Sequence, residues 1–209
     1  MSHINRRTML LGAGAAGAAL LGTGALLSFA LRPRQKATLD DMLQDADNPV
    51  LGNADGDVTI AEFFDYQCPF CKTGHPALMN LVARDGNIRL VMKDWPIFGA
   101  PSIKASQLVL GGVEPGSYET AHAALMATPG QLTEALIGRT LAEAGLDPAA
   151  LERSYRQGRA QWDALMSRTG AQAAQLGLQG TPAYIIGGRL YSGAMDGEAL
   201  ARAVSRARG

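Results

Sequence analysis

Both cysteines of the chain stand in one stretch, Asp65-Tyr66-Gln67-Cys68-Pro69-Phe70-Cys71-Lys72. Two thiols separated by two residues can cycle between dithiol and disulfide, supply half of a metal site, or form an inert staple. If Cys68 caps a helix, the spacing permits a disulfide, because residues three apart in a helix are about one turn removed. A cysteine at a helix N-terminus faces unpaired backbone N–H groups and the positive end of the macrodipole, which stabilise its thiolate. Cys71 would lie one turn inside and be more buried. Cys68 is then the attacking sulfur and Cys71 the resolving one. A stabilised Cys68 thiolate also stabilises the reduced protein and makes the disulfide more oxidising, by about 30 mV for each 1.4 kcal/mol or so. An inert staple is the weaker alternative, since so short a loop removes little chain entropy.

The flanking pattern supplies the elements that must hold these thiols. Val58-Thr59-Ile60-Ala61-Glu62-Phe63-Phe64 follows the turn signal Asp55-Gly56-Asp57 and reads as a buried strand ending near Asp65. Pro69 suits the first turn of a helix, which Ala77, Leu78, Leu81 and Val82 continue to Arg84, with Pro76 expected to kink it. Asp85-Gly86-Asn87 ends that helix. Ile88 to Lys93 is the next strand, parallel to the first because a helical crossover joins them. The pair therefore sits at the strand-to-helix junction of a βαβ unit.

From Ser102 to Leu178 the chain is Ala-rich and helical. Helices are expected at about Ser102 to Leu110, Ser117 to Ala127, Gln131 to Ala144, Pro148 to Gln157 and Ala160 to Leu176. Tyr184 to Ile186 and Arg189 to Tyr191, separated by Gly187-Gly188, form a hairpin, and Asp196 to Arg206 a closing helix. The order βαβ, helices, ββα implies one α/β domain over residues 50–209: a mixed central sheet interrupted by an all-helical insert at about 100–177.

Glu62 to Cys71, together with Gly180-Thr181-Pro182 far downstream, resembles the DsbA-like branch of the thioredoxin superfamily. The resemblance runs from about Val50 to the C-terminus. It implies a thioredoxin fold and a protein thiol:disulfide oxidoreductase with no cofactor beyond the Cys68-Cys71 pair and no metal. It implies that Pro182 is cis beside the cysteines and that Thr181 offers backbone hydrogen bonds to a bound peptide. Pro69 and Phe70 complete the active-site motif, and Pro76 matches the family's helix-kinking proline. Glu62, six positions before Cys68, matches an acid that assists proton transfer at the resolving thiol; a buried carboxyl with a raised pKa suits that task. Its plain alternative is a strand-end acid facing solvent.

Two features bear on direction. Phe70 stands where strongly oxidising members carry His, which implies a less oxidising protein, and Thr before the cis-proline also occurs in isomerases and reductases. Disulfide formation in translocated proteins is the leading reading, with an isomerase or reductase kept reduced by a membrane electron donor as the alternative. The implied partners are reduced or unfolded exported proteins and a membrane redox protein, by resemblance quinone-linked. The dimeric isomerases carry an N-terminal domain for which residues 31–49 are too short, so a monomer is expected. A third reading, from a different class, is an exported copper-binding module: Cu(I) needs few sulfur ligands, whereas a structural zinc site normally needs four protein ligands, for which the mature chain offers beyond the two thiols only His75 and His122 plus carboxylates.

Arg6 and Arg7 precede an uncharged run from Thr8 to Leu31. This is an export segment over residues 1–30, similar to the twin-arginine type, cleavable after Ala30 or retained as an anchor. Residues 31–49 read as a linker. Export places the pair in the periplasm or on the outer side of the membrane, where a disulfide persists. Lys plus Arg equals Asp plus Glu at 19 each, so charge gives no pointer to nucleic acid. With 47% apolar and 18% charged residues the chain can bury a core. His75 is expected on the surface and Asp94, Arg202, Arg206 and Arg208 as solvated charges. Trp95, Phe98, Tyr184 and Tyr191 read as core or rim packing, with the alternative that Trp95-Pro96-Ile97-Phe98, which follows a strand, borders the peptide groove.

Overall fold

Strand β2 (Val58–Phe64) is the apolar run before the cysteines, and all but one of its residues are buried. Such a run needs cover on both faces, and the computed structural model, which describes residues 37–209, supplies it. β2 lies at the centre of a five-stranded sheet of order β1-β3-β2-β4-β5. It pairs in parallel with β3 (Ile88–Asp94), Glu62 opposite Met92, and antiparallel with β4 (Ala183–Ile186), Glu62 opposite Tyr184. β4 turns into β5 (Arg189–Ser192) through Gly187-Gly188, whose φ values of 53° and 75° are open to glycine and strained for other residues. β1 (Val50–Gly52), too short to signal itself in sequence, adds antiparallel to β3.

Helix α2 (Pro69–Asp85) crosses between β2 and β3 with Pro76 inside it. Cys71, Leu78 and Val82 form its buried stripe. They pack with Ile60, Phe64, Leu90, Met92 and Tyr184 on one face of the sheet, where α8 (Gly197–Arg208) adds Leu200, Ala203 and Val204. Each Phe or Leu so buried contributes about 1.5–3 kcal/mol. Between β3 and β4 the chain runs through α3 (Ala100–Leu110), α4 (Tyr118–Met126), α5 (Glu134–Glu143), α6 (Pro148–Gln157) and α7 (Arg159–Gln175). The sheet interrupted by a helical insert is thus the observed architecture.

The other face of the sheet carries Ala61, Phe63, Val91, Ala183 and Ile185. It is covered by α7 and by α1 (Leu39–Leu43), whose Met42 and Leu43 are buried against it. The described part of the segment read as a linker is therefore packed onto the sheet. Lys93, fully buried on this face, pairs with Asp45 at 3.7 Å, and Arg168 of α7 binds both Asp45 and Asp47 at 2.8 Å. The export segment expected over residues 1–30 lies outside the described residues.

Two expectations about exposed side chains are corrected by packing, and a third gains partners without losing its exposure. Asp94 is fully buried at the end of β3 beneath α3 and α4, where the Tyr118 hydroxyl reaches it at 3.3 Å. His75 is half-buried, its ring 4.9 Å from that of the buried His122. Arg208 stays exposed and forks onto Asp57 and Asp85, tying α8 to the turn before β2 and to the C-terminal end of α2.

Candidate active site

The cysteine pair stands where β2 hands over to α2. Asp65, Tyr66 and Gln67 make the turn, closed by the Cys68 N–H on the Asp65 carbonyl at 3.0 Å. Cys68 is the N-cap of α2, its sulfur accepting the Cys71 N–H at 3.2 Å, and Pro69 opens the helix, where no N–H is needed. Both cysteines are free thiols.

Their environments differ in the direction that cap and helix interior dictate. The hydrogen bond with the Cys71 thiol, followed by the Thr181 side chain and the N–H groups of Cys71 and Phe70, holds Cys68 down at about 6 against the opposing effect of its burial. Burial pushes Cys71 far above an ordinary thiol, and its hydrogen bond to Cys68 and the Glu62 charge push the same way. At neutral pH one sulfur is therefore a thiolate and the other a thiol.

Thr181 and Pro182, which enter β4 from the far side of the insert, come to the same place. The Cys68 thiol donates to the Thr181 carbonyl at 3.2 Å, and the Thr181–Pro182 peptide is cis. The Thr181 hydroxyl is buried without a partner. Beside them is a cavity of about 440 Å³ lined by Phe70, Gly180, Thr181, Pro182, Gly193 and Ala194. Phe70 is 62% exposed at its edge, so this motif residue faces solvent.

Glu62 is 1% exposed, on the face of β2 that α2 covers. Burial raises its carboxyl to about 8; the Tyr184 hydroxyl offsets part of this, and the Cys68 charge adds to it. The solvent-facing alternative for Glu62 does not hold. Asp94 is a second buried acid, raised to about 7 by burial against the lowering effect of Ser106 and Tyr118. His122 donates to or accepts from the Tyr66 hydroxyl at 2.9 Å, and burial, with His75 beside it, lowers it to about 3, so the ring is neutral. Among the described residues no three His, Cys, Asp or Glu side chains group to hold a metal ion.

Asp65 and Gln67, both missed in sequence, join the site to the insert. Asp65 is fully buried and accepts from the Ile97, Phe98 and Gln67 N–H groups and the Ser102 hydroxyl at 2.7–3.1 Å. The Gln67 amide donates to the Phe98 carbonyl and accepts the Leu132 N–H. A charged residue closing an otherwise apolar strand beside two cysteines was the available signal.

Comparison with known proteins places this arrangement. Residues 44–206 match the Thioredoxin family. A thioredoxin-like oxidoreductase from Silicibacter pomeroyi DSS-3 superposes with a TM-score of 0.77 at 38% identity, over 82% of this chain and 98% of that one. The thiol-disulfide exchange protein alpha-DsbA2 from Wolbachia pipientis superposes with a TM-score of 0.75 at 26% identity, over 90% and 97%. The chain spans about a quarter of the length of the curated relatives it matches. One is Na(+)/H(+) antiporter NhaA 1 of Salinispora arenicola, 28% identical over 163 residues, 76% of this chain and 24% of the relative.

Proposed function

Because the chain belongs to the Thioredoxin family, as a DsbA-like thiol:disulfide oxidoreductase, we propose that it is exported and passes the Cys68–Cys71 disulfide to newly translocated proteins. The observation that carries this reading is the opposition of the two thiols, Cys68 lowered to about 6 and Cys71 raised. A dithiol whose outer sulfur is a thiolate at neutral pH is stabilised in the reduced state, which favours giving the disulfide away.

In the forward reaction a substrate thiolate attacks the Cys68 sulfur. The substrate–Cys68 bond forms as the Cys68–Cys71 bond breaks, and Cys71 leaves as a thiolate. Glu62, protonated below about 8, gives it a proton. A second substrate thiolate then attacks the substrate sulfur of the mixed disulfide and expels Cys68. The substrate has lost two electrons and the pair has gained them. Thr181 and Pro182 hold the substrate strand beside Cys68, with Phe70 at the edge of the groove. Reoxidation falls to a membrane redox partner.

The periplasm or the outer side of the membrane is the proposed location, resting on Arg6, Arg7 and the uncharged run behind them, an export signal over residues 1–30. The domain, read over 50–209 and extended in the fold by α1 packed on its sheet, is proposed to act as a monomer.

The test is trapping. Cys71→Ala should accumulate substrates as mixed disulfides on Cys68 and Cys68→Ala should accumulate none; equal trapping by both would sink the assignment of roles. The reduction potential sets the direction. A value towards about −120 mV makes the protein a donor despite Phe70, and one near about −270 mV makes it a reductase that needs an electron donor.

A further inference from the structure

Three of the five large apolar side chains exposed among the described residues lie on one short stretch of chain. Ile97 is 39% exposed, Phe98 49% and Ile103 42%, all on the turn after β3 or the first turns of α3, and Phe70 at 62% stands at the start of α2. Exposed apolar side chains on a loose turn would fold back onto the protein. This turn is not loose. The Ile97 and Phe98 N–H groups both bind one Asp65 carboxylate oxygen, at 2.7 and 3.1 Å, while the other oxygen takes the Gln67 N–H and the Ser102 hydroxyl, each at 2.7 Å. The Gln67 amide then holds the Phe98 carbonyl at 2.9 Å and Ser102 at 3.2 Å.

A carboxylate with no exposed surface is costly unless its lone pairs are filled, and here four donors fill them. A neutral side chain could close the β2–α2 turn on its own. Only an acceptor with two oxygens meets the donors of that turn and those of the Ile97–Phe98 turn together. Asp65 therefore fixes where the apolar turn stands relative to Cys68, to which its own carbonyl is bonded at 3.0 Å.

The geometry points to Asp65 as a positioning residue that sets the Ile97–Phe98 turn as an apolar wall for the substrate polypeptide while that polypeptide is joined to Cys68. The wall is contributed by β3 and the insert, and the Thr181–Pro182 groove by β4. A polypeptide held through its own cysteine at Cys68 meets the wall with the residues flanking that cysteine. A small thiol such as glutathione reaches Cys68 without them. The inference rests on the proposed exchange with protein substrates and adds the residue that shapes its specificity.

The experiment compares second-order rate constants for reduction of the oxidised protein by two probes: a reduced cysteine peptide flanked by Leu and Phe, and glutathione. In Asp65→Asn an amide N–H replaces one acceptor, leaving backbone donors unpaired and releasing the turn. The peptide-to-glutathione ratio should fall about tenfold, as it does for about 1.4 kcal/mol of lost contact. Phe98→Ser, which leaves the Asp65 bonds intact, should lower the same ratio and serves if Asp65→Asn does not fold. A ratio unchanged in Phe98→Ser, or both rates falling in proportion in Asp65→Asn, overturns the inference while the exchange reaction stands. Failure of the unaltered protein to react with the peptide overturns both.

Discussion

Cys68 and Thr181 lie 113 positions apart in the chain and meet at 3.2 Å, thiol against carbonyl oxygen. When the thiol loses its proton that contact loses its donor, and the Thr181 hydroxyl, buried without a partner, becomes the group able to donate to the sulfur. Thr181→Val keeps the shape and removes the hydroxyl. The Cys68 titration midpoint, followed by thiolate ultraviolet absorbance, should move up from about 6 and the rate of alkylation at neutral pH should fall. An unmoved midpoint would leave the Cys71 contacts and the helix end as its sole cause.

The depressed Cys68 pKa also links redox state to stability. A cysteine in the unfolded chain binds its proton up to about 9, and folded Cys68 releases its proton above about 6. Between these values the unfolded state holds more protons, so the reduced protein gains stability as pH rises and loses that gain as pH falls through 6. Denaturant unfolding of reduced and oxidised protein across this window should show the reduced form gaining stability relative to the oxidised one as pH rises, because buried groups such as Glu62 titrate in both forms and drop out of the difference.

Glu62 works the other way. Its carboxyl stays protonated to about 8 in the fold, against 4.5 for an ordinary glutamic acid. Between these values the folded state holds the extra proton and stability falls with rising pH, by at most about 1.4 kcal/mol per pH unit. Glu62→Gln should flatten that slope and be more stable than the parent above pH 8. It should also slow disulfide exchange at Cys71, measured as the release of mixed disulfides in stopped flow, by about 10²-fold or less. A mutant with an unchanged slope would mean that Glu62 ionises freely.

Lys93 gives a separate alkaline signature. Burial lowers its ammonium to about 8, against the raising effect of Asp45. The folded state sheds this proton before the unfolded state does, so stability rises between about 8 and 10.5. Lys93→Met should abolish that rise in urea unfolding. Asp45 would keep Arg168 as its partner, so the acidic limb should change little. Persistence of the rise would assign it to another group.

The strand, the turn and the cysteine pair were legible because their signals are local. β2 ran from Val58 to Phe64 as its β-rich composition dictates, and Cys68-Pro69 marked the start of α2. What failed depends on partners distant in sequence. β1 is three residues long and exists through its pairing with β3. Asp94 reads as a charge at a strand end, and only the packing of α3 and α4 over it decides its burial. His75 is drawn from the surface by His122, which arrives with the insert. Arg208 is exposed as a solvated charge should be, but its pairing with Asp57 and Asp85 depends on residues more than 120 positions away. Asp65 lies within the motif with no local signal of a role, because its partners at Ile97, Phe98 and Ser102 become neighbours only in the fold.

The distance in sequence between Cys68 and Thr181 has a further consequence for a polypeptide made from its N-terminus. Both cysteines are synthesised long before the threonine that lies against one of them, and the whole insert must follow before Pro182 arrives. A nascent chain stopped short of that point carries the two thiols without the β4 contacts that help make Cys68 acidic, and non-local contacts of this kind are slow to form. The acidity of Cys68 is thereby completed only when nearly the whole domain has been made.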